Sequence, residues 1–318
     1  MNSTAASTDL ACRLATLDFR SRPGRALAVA TADSALDGGE LALAAAICRR
    51  VLAGDLENAD AYAVLQCVLV REQQFAEATV IANRTLAHYR SKDARHTTAN
   101  ALHVLHGRGF RARGILDIGA YEGEFAILAR QFFPAASLLM VEPQTQKHAV
   151  LTAVAAALGG DVGVASVLLG DTERENCAFH QLRTPFGSTG SSIYQEASDY
   201  PRDTLQLPMR TVDRLLADYP HRCFDLCKID VQGAELDVLL GMKETLGSVQ
   251  ALVVELSLHV VNHGAPLLAQ VTAEFDRLGF AMFDMVPLPR DGDGLQRQVD
   301  AVFVAKDSPL WHAPTSRV

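Results

Sequence analysis

No stretch of this sequence approaches the run of about 18 apolar residues that carries a helix across a bilayer, so no membrane span is expected. The segment from Met1 to Pro23 has Ser and Thr followed by charged residues, without the apolar core of a secretory signal, and a cytoplasmic protein is expected. Positive charge is scarce as well. The net charge of −8 provides no basic face to displace counterions from nucleic acid and disfavours docking on an anionic membrane. Cysteines are few and scattered. Only Cys223 and Cys227, at the ends of Cys-Phe-Asp-Leu-Cys, stand close together among the six, and no second pair completes a zinc site. Reduced, mostly buried thiols are the expectation.

What remains is ordinary globular composition, 49% hydrophobic and 21% charged, in 318 residues, enough for two domains. Two textures meet near residue 107. Residues 1–107 are rich in Ala, Leu, Arg and Glu without strand-like alternation, and predict a small all-α module. A faint repeat runs through it: Leu41–Leu52 aligns with Phe75–Leu86 at an offset of 34 residues, matching Ala44 with Ala78, Ile47 with Ile81 and Leu52 with Leu86. That is the period of the tetratricopeptide helix pair. The stretch Ala59–Lys92, with Tyr62, Leu65, Leu69, Phe75 and Ala78 at packing positions, resembles one such unit. Fewer than three repeats seldom stand alone, so a plain helical cap fits equally. Either form offers a surface for a protein partner or a dimer contact.

Residues 108–318 instead show short apolar runs alternating with helical stretches. Strands are expected at 114–119, 137–142, 162–169, 224–231 and 251–256, with helices between them, and a closing pair at 280–286 and 299–306. Near-continuous apolar strands joined by helices give a parallel sheet covered on both faces. The last two strands have only a Pro/Gly/Asp-rich link, so one of them lies antiparallel.

Two segments carry ligand chemistry. In Leu116-Asp117-Ile118-Gly119-Ala120-Tyr121-Glu122-Gly123, a strand ends in Asp117, Gly119 permits a tight turn and Gly123 starts a helix close to the sheet. Glu142 then stands 23 residues beyond Gly119, at the tip of the next strand, where a carboxylate accepts from ribose hydroxyls. Asp117, Gly119, Ala120, Tyr121, Gly123 and Glu142 are the candidate cofactor residues. Gly170 and Asp171 join them after the third strand, where Asp171 faces an adenine amine or simply forms a turn. A nicotinamide dinucleotide shares much of this pattern, but the Gly-x-Gly-x-x-Gly form is missing and the turn holds no basic residue.

Downstream motifs are more specific. Lys228-Ile229-Asp230-Val231-Gln232-Gly233-Ala234-Glu235, with Met209-Arg210-Thr211-Val212-Asp213-Arg214-Leu215 before it, resembles the FkbM methyltransferase family, as do Ser188-Thr189-Gly190-Ser191-Ser192 and Val253-Val254-Glu255-Leu256. The resemblance covers roughly residues 108–306. It implies a class I methyltransferase fold, a Rossmann-like sheet that is mostly parallel with one late antiparallel strand. It also implies S-adenosyl-L-methionine as cofactor and O-methylation of a carbohydrate, glycan or natural-product hydroxyl. Two positions depart from the family: Tyr121 where Asn is frequent, and Gln232 where Glu is usual.

Active sites of open α/β sheets lie beyond the carboxyl ends of the strands. That criterion selects Asp230 as general base or as the residue that orients the acceptor, with a helix N-cap as its ordinary alternative. Lys228 shares its strand face and is able to hold the carboxylate. His259 is a second candidate base, since its side chain titrates near neutrality. A metal site from Asp230, Glu255 and His259 has no short-spacing support and is not predicted. The segment from Phe186 to Tyr194, inside the long excursion 172–207, is expected to form an acceptor pocket or lid; the hydroxyls of Ser188, Ser191 and Ser192 suit a polyhydroxylated acceptor and equally a flexible surface loop. A dinucleotide-dependent oxidoreductase and a non-catalytic adaptor are the competing classes.

Overall fold

The computed structural model describes residues 13–55, 58–74, 77–78, 80–81, 98–184, 188–220, 222–288, 290 and 294–312. The chain divides into a unit ending at Ala94 and a larger one comprising Arg95–Thr184 and Ser188–Val318. In the first, α1 (Arg22–Asp37), α2 (Leu41–Gly54) and α3 (Ala59–Arg71) pack in succession. Ser21 caps α1 by accepting from the Gly24 amide, and Asn58 caps α3 by accepting from the Ala61 amide at 3.0 Å. Such caps satisfy amides that the first helical turn leaves open. Leu43, Ile47 and Val51 of α2, and Tyr62, Leu65 and Leu69 of α3, recur every three to four residues and are buried. Of the second copy of the sequence repeat, positions 75, 76, 79 and 82–86 lie outside the described residues, while Ala78 and Ile81 are described and buried.

The larger unit begins with α4 (Thr98–Gly107), which groups with the sheet. It continues with β1 (Gly114–Ile118), α5 (Glu124–Phe132), β2 (Ser137–Val141), α6 (His148–Leu158) and β3 (Val162–Ala165). After an excursion come α7 (Val212–Leu216), β8 (Leu226–Ile229), α8 (Glu235–Leu240), β9 (Ala251–Ser257), α9 (Leu268–Arg277), β11 (Phe280–Pro287) and β12 (Gln298–Ala305). The seven-stranded sheet has the order β11-β12-β9-β8-β1-β2-β3. Its strands from β3 to β9 are parallel, and β12 is antiparallel to both β9 and β11. This is the expected mostly parallel sheet with one late antiparallel strand. Every residue of β1, β8 and β9 is buried, which is why these strands read as unbroken apolar runs. Under β9, Phe275 of α9 stacks on Phe303 of β12 at 4.0 Å between ring centroids.

Two readings are corrected. The run 162–169 is not one strand: β3 ends at Ala165, and β4 (Leu168–Leu169) pairs with β7 (Arg202–Arg210) in a separate sheet. The excursion 172–207 is largely not loop either. Its β5 (Arg174–Leu182) pairs antiparallel with β7, giving a three-stranded sheet of order β4-β7-β5. A two-residue pair, β6 (Gln195–Glu196) with β10 (Asn262–His263), ties the end of the excursion to the segment after β9. Among the described residues no helix is long and apolar enough to cross a membrane.

Candidate active site

The order reverses at β1, whose neighbours are β2 on one side and β8 on the other. Connections therefore leave in opposite directions, and a crevice opens beyond the strand ends. The turn after β1 is built for close approach. Gly119 has φ +81°, and a Cβ there would stand 1.8 Å from the carbonyl oxygen of Asp230, which follows β8. Only glycine permits both. Gly123, at φ +87°, precedes α5 and lets it lie on α6 and β2, where a Cβ would meet Val154, Met140 and Leu151. Tyr121 between them also has positive φ, +45°. Asn tolerates that region better than most residues, and a tyrosine there is strained.

These elements enclose a cleft of about 150 Å³ lined by Gly119, Tyr121, Glu142, Gln144, Asp230 and Glu255, among others. Glu142 sits at its floor with both oxygens aligned by the backbone: Oε2 accepts from the Tyr121 amide and Oε1 from the Gln144 amide, each at 3.0 Å. Burial pushes its pKa up, and those two amides act against the rise. Each oxygen keeps a further lone pair, so two neighbouring hydroxyls find two acceptors. Asp117 lies beneath the cleft rather than on its wall, 1% exposed, and its Oδ2 has no hydrogen-bond partner. Burial raises its pKa to about 7 against the pull of Lys228, its cross-strand neighbour. Tyr121 spans the cleft: its hydroxyl accepts from the Ser188 amide at 3.2 Å, while the Lys147 ammonium lies 3.8 Å from its ring centroid and pairs with Glu122 at 2.5 Å.

The opposite wall holds a network centred on Lys228. Its ammonium donates to Asp230 Oδ2 at 2.8 Å and lies 3.6 Å from Asp300 Oδ1. Burial by itself lowers the lysine pKa, but Asp230 and Asp300 outweigh it and hold the ammonium charged. Gln232 Nε2 donates both to Asp230 Oδ1 at 2.9 Å and to Glu255 Oε1 at 2.7 Å. Gln232 holds φ +56° to do so, a conformation worth roughly 1–3 kcal/mol of strain. Asp230 is not a helix cap, because α8 starts later and the amides of Val231 and Gly233 are taken by the buried Glu235. That glutamate, pushed up to about 7 by burial, locks the turn and leaves Asp230 free for the cleft.

The structure thus brings together Gly119, Tyr121, Glu142 and Asp230 at the cleft, with Asp117 and Lys228 behind them and Ala120 in the turn. It does not bring in the others. His259 is exposed and off the cleft wall. Asp171 pairs with Arg174 at 2.7 Å, and Gly170 packs under Met209, both outside the cleft lining. Two of the three serine hydroxyls are engaged with backbone: that of Ser191, on the cleft lining, accepts from the Leu182 amide and donates to Ser188 O, and that of Ser192 donates to Val231 O. These bonds shape the strap. Gln144, Phe179 and Gln232 line the cleft without having been singled out for it. Gln144 carried a signal, two residues past the acidic strand tip, whereas Phe179 lies on a strand whose sequence did not read as one.

The expected nucleoside cofactor fits these residues. Glu142 is a preformed pair of acceptors for ribose hydroxyls, and Asp117 Oδ2 is a buried oxygen lacking the donor that a nearby ammonium supplies. The family that the sequence matches agrees with the chemistry. The methyltransferase FkbM domain matches residues 117–282. The AMB antimetabolite synthetase AmbE of Pseudomonas aeruginosa is 30% identical over a match covering 44% of this chain, which spans only 8% of that protein. Among solved structures, the O-methyltransferase TomG from Streptomyces achromogenes, in complex with SAM, aligns at 14% identity and TM-score 0.38 over 72% of this chain and 89% of its own. Cofactor-bound Rv0187 from MTB aligns at 12% identity and TM-score 0.41 over 74% and 91%. The domain match spans more than half of the sequence, and the chain belongs to the FkbM family of methyltransferases, with S-adenosyl-L-methionine as its methyl donor.

Proposed function

We propose that this methyltransferase transfers its methyl group to a hydroxyl of a carbohydrate, glycan or natural-product acceptor, with Asp230 as general base. The observation that carries the reading is the setting of Asp230: at the cleft, fixed by Lys228 on one oxygen and Gln232 on the other, close to the Glu142 side where a ribose is held. An alcohol is a weak nucleophile at neutral pH, so a positioned base is needed. S-adenosyl-L-methionine, when bound, supplies an electrophilic methyl group on a positively charged sulfur. Glu142 would hold its ribose and Asp117 would face its ammonium, with Gly119, Ala120, Tyr121 and Gly123 forming the turn around it.

The rest falls to the chain. Asp230 takes the proton that the acceptor hydroxyl loses as its oxygen bonds the methyl carbon and the carbon–sulfur bond breaks. Lys228 keeps Asp230 oriented through its hydrogen bond to Oδ2. The Ser188–Ser192 strap, tethered to Tyr121, shields the reacting atoms from water. A screen of sugars and glycosides with radiolabelled cofactor supplies the test. On any acceptor found, Asp230→Asn is expected to lower kcat by at least about a hundredfold with cofactor affinity within about twofold. Wild-type kcat in Asp230→Asn would contradict the role given to Asp230.

A further inference from the structure

Glu255 stands beside Asp230 in a different chemical setting. It lies on β9, is 8% exposed and lines the cleft. Two amides from distant parts of the chain converge on one of its oxygens: Gln232 Nε2 and Gln298 Nε2 donate to Oε1, at 2.7 and 2.5 Å. Among the described residues none donates to Oε2. The carboxyl is therefore asymmetric, with one oxygen saturated and the other left toward the cleft.

Charge counting points the same way. Three carboxyl groups, Asp230 after β8, Glu255 on β9 and Asp300 on β12, surround a single ammonium, Lys228. Lys228 is committed to Asp230 at 2.8 Å and to Asp300 at 3.6 Å, and Asp300 Oδ2 has the Thr98 hydroxyl besides. Glu255 is hydrogen-bonded by neutral amides only; Asp230 across the Gln232 bridge, Asp300 and Glu235 of α8 are acidic neighbours that raise its ionisation, and Lys228 acts against them. Burial first, and Asp230 second, move its ionisation well above the ordinary glutamate range. A glutamate at position 232 would add a fourth acid. Gln232 instead gives one hydrogen to each neighbour and joins the two carboxyl groups through a neutral amide.

We propose that Glu255 is the acceptor-orienting group of this enzyme, a carboxylic acid whose Oε2 hydrogen is donated to one oxygen of a vicinal diol while Asp230 accepts from the other. The proposal rests on the reading of Asp230 as the base, and it narrows the acceptor to molecules with adjacent oxygens. A lone alcohol satisfies Asp230 and leaves the Glu255 hydrogen without a partner, which costs affinity in a buried site. In a diol each oxygen finds one group, and the hydroxyl on Asp230 is the one methylated.

The full-length protein labelled with ¹³C at its glutamate carboxyls, saturated with S-adenosylhomocysteine, gives a readout that needs no knowledge of the natural acceptor. One resonance is expected to titrate well above the usual glutamate range and to vanish in Glu255→Gln. In Asp230→Asn, which removes the neighbouring charge, the same resonance moves down by at least one pH unit. Should Glu255→Gln not fold, Glu255→Asp, which keeps a carboxyl but carries no glutamate label, removes the same resonance and assigns it. Addition of cis-cyclohexane-1,2-diol is expected to shift it, with cyclohexanol at equal concentration shifting it at most a third as far. A Glu255 resonance that titrates in the usual glutamate range overturns the acid, and equal or absent shifts from the two probes overturn the diol. Neither outcome depends on whether Asp230 is the base, which the kcat of Asp230→Asn decides separately.

Discussion

Asp117 is poised near neutrality by burial, at about 7, whereas in an unfolded chain it ionises near 3.8. Its folded pKa is raised, so the sign follows directly: the stability it contributes is complete below the unfolded value and is lost as pH rises through about 7. Without cofactor, Asp117→Asn is therefore expected to gain on the wild type in thermal stability as pH rises from about 4 to about 8. A cationic group brought close to Asp117 favours the carboxylate and expels its proton. Calorimetric titration with S-adenosyl-L-methionine at a pH near 6.5, in buffers of different ionisation enthalpy, should show the wild type releasing more protons than Asp117→Asn, by up to about one. Equal release in the two proteins would place the ammonium elsewhere.

Among the elements, the turn between β1 and α5 carries the tightest constraint. Gly119 meets two conditions at once, a positive φ and the Asp230 carbonyl where a Cβ would be. Gly119→Ala is expected to cost about 3 kcal/mol or more, from backbone strain plus forced separation of β1 and β8. Its melting temperature should fall by several degrees and cofactor affinity by at least tenfold, whereas unchanged melting would mean that the strand ends are not in contact. Such a turn is legible in a sequence because glycine spacing and an acidic strand tip are local signals. The central strands were legible for a similar reason, as burial on both faces leaves an unbroken apolar run. The β5–β7 sheet was not. Arg174, Glu175 and Asn176 open β5 exposed, and β7 is exposed over most of its first half, so neither strand shows the alternation of a half-buried surface. Without those strands the excursion read as loop, and its serines read as ligand groups when they hold the strap. The Lys228–Asp230–Gln232–Glu255–Gln298 network lies further beyond sequence reading. It joins three segments up to 70 positions apart, and no local spacing announces it. His259 was attractive because it follows β9 closely, but it points into solvent while Glu255, inside the strand, lines the cleft.

At the scale of the whole molecule, the seven-stranded order with its reversal at β1 gathers Glu142, past β2, and Asp230 and Glu255, past β8 and on β9, around one cleft. In the proposed arrangement Glu142 would face the cofactor, and Asp230 and Glu255 the acceptor. The most direct test of that arrangement is calorimetric titration of the wild type and Glu142→Ala with S-adenosyl-L-methionine, with NAD in parallel. The wild type should bind S-adenosyl-L-methionine and not NAD, and Glu142→Ala should bind it at least several-fold more weakly. Equal affinity in the two proteins, or binding of NAD alone, would contradict the account.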